Sequence, residues 1–167
     1  KLMHNFLTFK KINLFGSLLA FILVGLAVAI QAHFNLEPCP LCVTQRIVFI
    51  VIGFLFLLFS FFNPSQLIRC IHLVTLLIAN IVGIIFAIKH ILIQGKWITV
   101  PAECGIDLDY MFENFPLTEA FSLLFKGTGD CSEIDWLFLG LTLPQLALIA
   151  YIVFGIITLY IFKKINT

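Results

Sequence analysis

Charge is scarce in this sequence. Asp, Glu, Lys and Arg together make up 11% of its 167 residues, against 61% hydrophobic ones. An ordinary soluble domain carries about a quarter charged residues, so that class is excluded. A mean hydropathy of +1.10 points instead to an integral membrane protein. Internal repeats and low-complexity tracts are also missing. The formal net charge of +1 decides little by its size, and no nucleic-acid partner is expected. Where the few charges fall is what matters.

Four stretches contain no Asp, Glu, Lys or Arg at all: Ile12 to Leu36, Ile47 to Ile68, Cys70 to Ile88, and Trp136 to Phe162. Each is near or above the roughly 20 residues that cross about 30 Å of hydrocarbon as a helix. The reading is an all-α fold, a four-helix membrane bundle in a single domain over 1–167, with spans near 12–33, 43–62, 68–88 and 143–162 and connecting loops 34–42 and 89–142 on one side. An even number of spans puts both termini on the same face. Lys1, Lys10, Lys11, Arg69, Lys163 and Lys164 flank that face, which the positive-inside rule makes cytoplasmic. All 9 carboxylates fall on the other side. A secretory leader is the competing reading of the first run, because Lys10-Lys11 precede it and Ala27-Val28-Ala29 resembles a cleavage site. The run is longer than a usual leader core, and cleavage there would leave an odd number of spans.

Local punctuation agrees with four spans. Asn63-Pro64-Ser65 reads as a tight cytoplasmic turn, and Pro144 suits the first turn of the last helix. Trp97 and Trp136 sit near the outer boundary, where amphipathic rings favour the headgroup layer. In the long loop, Leu117, Ala120, Phe121, Leu124 and Phe125 recur at helical spacing between Pro116 and Gly127. This spacing predicts a short interfacial amphipathic helix, lying on the membrane or capping the bundle.

There are 5 cysteines, and their placement matters more than their number. Cys39-Pro40-Leu41-Cys42 is a C-x-x-C pair at the junction of two hydrophobic segments, with Arg46 four residues on; Cys104 and Cys131 lie in the long loop. All four fall on the outer side, where disulfides persist. Cys70 lies beside Arg69 at the cytoplasmic end and reads as a small buried hydrophobe. Two purely structural disulfides are one possibility, although a C-x-x-C bridge closes too small a loop to constrain the unfolded chain much. A four-cysteine metal site is another, though Cys104 and Cys131 do not form the second short pair such sites usually have. The third is a relay in which one pair passes its oxidation state to the other. Haem attachment is disfavoured because Val43, not His, follows Cys42.

The helix terminus favours the relay. With Pro40 in the first turn of the second helix, Cys42 sits among unpaired N–H groups at the positive end of the helix dipole, which favours a thiolate. Arg46 lies on the same face and adds fixed positive charge, and an Arg this close to a hydrophobic span is a functional candidate by default. A helix-end anchor reaching for headgroups is its bland alternative.

At this point the chain resembles the DsbB-type membrane thiol-quinone oxidoreductases. The likeness runs over nearly the full length, from the C-x-x-C with Arg46 at the start of span two to the loop cysteine pair. It includes the local stretches Lys89-His90-Ile91-Leu92-Ile93-Gln94, Gly129-Asp130-Cys131, Trp136-Leu137-Phe138-Leu139-Gly140-Leu141 and Pro144-Gln145. The resemblance implies a protein of the bacterial inner membrane with catalytic Cys39, Cys42, Cys104 and Cys131. It also implies that a Cys104–Cys131 disulfide oxidises a DsbA-like periplasmic thiol oxidase through Cys104, and that Cys131 then exchanges with Cys39. Cys42 as thiolate would donate to ubiquinone or menaquinone, with Arg46 stabilising negative charge on the reduced quinone oxygen, and no metal is implied. By the same resemblance His90 could hydrogen-bond a quinone carbonyl, with an interfacial His satisfied by water or backbone as the plain alternative. The related vitamin K epoxide reductase group also moves electrons between dithiols and quinones, but there the C-x-x-C follows the loop pair. Two departures stand out: Gln45 replaces the acid some members carry before the Arg, and Pro40 lies inside the C-x-x-C. His4, His33 and His72 have no motif context. The glycines of Gly127-Thr128-Gly129 are expected to let the loop carry Cys131 between partners.

Overall fold

A computed structural model of the chain describes residues 2–62, 65–100, 116–134 and 136–166. Cys104 and the Asn63-Pro64 turn lie outside them. Four helices are long and apolar enough to cross a membrane: α1 (Leu2–Phe34), α2 (Pro40–Phe61), α3 (Gln66–Gln94) and α5 (Leu143–Asn166). Between α3 and α5 come a short helix α4 (Leu117–Lys126), a 3-10 turn over Gly129–Ser132, and a two-stranded hairpin of β1 (Leu137–Phe138) and β2 (Leu141–Thr142). The fold is a four-helix membrane bundle.

Helix α3 shows how the sequence builds it. Leu73, Leu76, Asn80, Gly83, Ala87 and His90 are buried at alternating steps of three and four, while Ile71, Val74, Ile78, Ile81 and Ile85 point outward. Such a narrow inward seam is what helix-on-helix packing requires, and the outward isoleucines present an apolar face for lipid. α1 packs on α2, α2 on α3 and α3 on α5, and α5 returns against α1. At the centre the rings of Phe49 and Tyr151 stack in parallel at 4.2 Å. Gly83 makes room for them: a Cβ there would lie 2.2 Å from Tyr151 Cε1.

Several polar groups inside the bundle are paired, as a water-free interior favours, although His72 Nδ1 and Asn80 Oδ1 are buried without a partner. Asn13 Nδ2 donates to the Phe9 carbonyl at 2.9 Å, leaving Oδ1 to meet His72 Nε2 at 3.2 Å. The His72 ring stacks on Phe59 at 3.7 Å. This pair joins α1 to α3, a structural role that gives His72 a purpose its sequence context does not suggest. Tyr151 donates its hydroxyl to the Gln45 carbonyl at 2.8 Å, joining α5 to α2.

α3 runs past Lys89, where its charge-free stretch stops, and Lys89 Nζ donates to the Phe125 carbonyl at 2.7 Å. α4 lies over Leu117–Lys126, the segment its apolar spacing marks. It is fastened to the bundle: Leu124 is buried, and its carbonyl accepts from Thr44 Oγ1 at 2.9 Å. Both contacts hold α4 against the ends of α2 and α3 where the cysteines gather.

Candidate active site

Helix α2 begins at the C-x-x-C. Cys39 occupies the N-cap with extended backbone (φ −65°, ψ 155°), and Pro40 opens the first turn, where a missing N–H is no loss. Cys42 therefore lies in that first turn. The Cys39 thiol donates to the Cys42 sulfur at 3.2 Å, so the two can bridge without backbone movement.

Cys131 arrives from the 3-10 turn. It is fully buried and packs with Cys39, Leu41 and Ile93. Gly127 makes that approach possible: its φ of +80° suits glycine, and a Cβ would sit 2.9 Å from Leu41 Cδ1. The sequence suggests loop freedom for these glycines, whereas in the structure Gly127 serves close docking.

Three sulfurs thus meet, and their environments differ. Cys131 is drawn down from 9.0 to about 7, chiefly by the hydrogen bond from the Cys39 thiol, against burial and with help from the Leu41 and Thr128 backbone N–H groups and the Thr128 hydroxyl. Cys39 is pushed well above the usual thiol range, because its one S–H is drawn first to the Cys131 sulfur and then to the Cys42 sulfur, and because it is buried. The arrangement separates a sulfur that ionises readily, Cys131, from a thiol that keeps its proton, Cys39.

Arg46 projects toward α1. Its Nη1 donates to Gln31 Oε1, and its Nη2 to the Ala27 carbonyl at 3.4 Å. With Cys39, Cys42 and His90 it borders a small cavity of about 40 Å³, walled by Leu36, Trp136 and Pro144 among others. His90 is buried; its Nε2 lies 3.7 Å from Cys39 Sγ and its Nδ1 3.5 Å from Gln45 Nε2. The structure therefore brings together Cys39, Cys42, Cys131, Arg46 and His90, while Cys104 lies outside the described residues. Gln31 escapes sequence reasoning because a glutamine in an apolar run carries no pattern. Cys70, on the first turns of α3, is separated from this end of the bundle by about 30 Å of helix.

The family described as disulfide bond formation protein DsbB matches residues 9–161. The chain belongs to that family. A protein named disulfide bond formation protein B from Methylobacillus flagellatus is 50% identical over 141 residues, covering 84% of this chain and 85% of its own. One of the same name from Nitrosococcus oceani is 37% identical over 146 residues, covering 85% and 86%. A third, from Hahella chejuensis, is 36% identical over 132 residues, covering 79% and 80%. No solved structure matches the chain significantly. Family and geometry agree in kind, since forming disulfides is a thiol oxidation and the bundle gathers three thiols at one end.

Proposed function

We propose that this membrane protein reoxidises a DsbA-like periplasmic thiol oxidase and delivers the electrons to a membrane quinone, as a protein-dithiol:quinone oxidoreductase of the bacterial inner membrane. Its termini face the cytoplasm and its four outer cysteines the periplasm. The observation that carries the reading is the contact of Cys131 with Cys39 and of Cys39 with Cys42.

Electrons move as thiolate exchanges. A thiolate of the reduced partner attacks Cys104 of a Cys104–Cys131 disulfide, forming a mixed disulfide and releasing Cys131. The Cys131 thiolate attacks Cys39 of a Cys39–Cys42 disulfide, and Cys42 leaves as thiolate. The partner's second thiol resolves the mixed disulfide and frees Cys104. Cys104 then attacks Cys131, restoring the loop disulfide and releasing Cys39. Two electrons now reside on the Cys39/Cys42 dithiol.

A bound ubiquinone or menaquinone supplies the two-electron acceptor. The chemistry of the lining suits such a ring, with apolar Leu36, Trp136 and Pro144, a fixed cation at Arg46, and Gln94, whose buried Oε1 has no hydrogen-bond partner, but at about 40 Å³, and with Glu37 and Glu133 at its wall, the cavity must widen to admit it. Gln31 and the Ala27 carbonyl aim the guanidinium, so its charge needs no reorganisation when negative charge develops beside Cys42.

Purified protein in detergent, given reduced DsbA-like oxidase, should reduce quinone. Turnover should vanish in Cys42→Ser and in Cys104→Ser, and Arg46→Gln should cost about 10²-fold while leaving thiol exchange with the partner intact. Absence of turnover with both quinones in folded protein would overturn the reading. A metal centre is the second reading, favoured by the ligand atoms of Cys39, Cys42 and His90 lying within 4.8 Å of one another. It requires stoichiometric zinc that a chelator removes, with thiols resisting alkylation until then.

A further inference from the structure

We infer that Gln45 is a positioning residue: it holds His90 in the tautomer whose one ring proton, on Nε2, faces the Cys39 sulfur. The inference rests on the relay only for its consequence. The tautomer follows from hydrogen-bond accounting.

Gln45 is buried on α2 and reaches across to α3. Its Nε2 lies 3.5 Å from the Phe86 carbonyl and 3.5 Å from His90 Nδ1. A carbonyl only accepts, so the amide nitrogen must be the end that faces it; the flipped amide would set lone pair against lone pair. The same NH2 group then meets His90 Nδ1, which must accept. A protonated Nδ1 would place two donors against each other, which disfavours both the other tautomer and the imidazolium. The proton of the neutral ring is therefore on Nε2.

Nε2 stands 3.7 Å from Cys39 Sγ, at the N-cap of α2. One proton on α3 thus reaches a sulfur of the relay. It gives the Cys39 sulfur a donor at the moment it leaves Cys131 as thiolate, when an N–H···S contact is strongest. With its proton there, His90 offers no lone pair to a metal held by Cys39 and Cys42.

The test is nitrogen NMR of reduced, full-length protein carrying 15N-histidine, in detergent, with His90 assigned from the signals lost in His90→Asn. The wild type should show a pyrrole-like Nε2 and a pyridine-like Nδ1. In Gln45→Glu the carboxylate can only accept, so the two signatures should exchange places. A pyridine-like Nε2 in the wild type would overturn the inference even if no variant folded, and an unchanged tautomer in folded Gln45→Glu would do the same. The consequence is read separately, as the rate at which glutathione thiolate, attacking Cys131, opens the Cys39–Cys131 bridge in Cys42→Ser/Cys104→Ser protein. Gln45→Glu should slow that opening roughly tenfold, about the worth of one hydrogen bond to the leaving Cys39 thiolate, and an unchanged rate would refute this role of the proton. Quinone turnover by the wild type tests the relay independently of both.

Discussion

Among single residues, Cys131 carries the sharpest expectation. Its thiol is depressed to about 7 in the docked state from an ordinary 9.0, so docking gains a contribution that is fully present above 9.0 and is lost as pH falls through about 7. Cys39 acts in the opposite sense, because its raised value keeps its contribution until pH climbs past the usual thiol range. Hydrogen exchange of the Gly129–Ser132 amides in reduced protein should therefore speed up, relative to the bundle core, as pH is lowered from 9 to 7, once corrected for intrinsic rates. A flat profile would contradict the thiolate assignment. At this scale the C-x-x-C and Arg46 are legible in the sequence because each is a chemical oddity at the end of an apolar run. Gln31 and Gln45 are not. Their roles depend on which carbonyl and which ring nitrogen face them, and that is set by neighbours distant in the chain. In the sequence Gln45 stands out only as a missing acid, yet it is a double donor in contact with His90.

Among elements, the seam between α3 and α5 is the most exacting. A methyl group at Gly83 would press into the Tyr151 ring, which is already stacked on Phe49 and hydrogen-bonded to α2. Gly83→Ala should lower stability by about 1–3 kcal/mol, the usual cost of overpacking. Gly155→Ala, with nothing within 4 Å of its Cβ, should be close to neutral. Thermal unfolding of both variants in detergent checks the contrast. Spans are readable because uncharged runs of this length have few other uses, but their ends are not. Lys89 reads as a boundary, whereas α3 runs on to Gln94 and the Lys89 ammonium finds the end of α4. The hairpin is hidden for a different reason. Its turn is Leu139-Gly140, with both φ values positive (52° and 83°), a conformation usually announced by Asn-Gly. Leucine there gives no turn signal, so the sequence leaves the segment as undivided loop up to 142.

For the whole molecule, the consequential question is which way the bundle faces. A membrane-impermeant thiol reagent applied to intact cells under reducing conditions should label Cys42, which borders the cavity and is only half-buried, and spare Cys70, which should react only after lysis. Labelling of Cys70 from outside would reverse the proposed orientation. One further property belongs to the assembled protein. No side chain caps α2 at Cys39, and the Leu41 amide of its first turn is directed at the Cys131 sulfur. A thiolate from a distant loop thus serves as the missing helix cap, delivered in trans. Capping and oxidation are then mutually exclusive uses of one sulfur: whenever Cys131 is locked in a bridge elsewhere, the first turn of α2 loses its anion and frays more readily. The start of a membrane-spanning helix would in this way register the oxidation state of a loop.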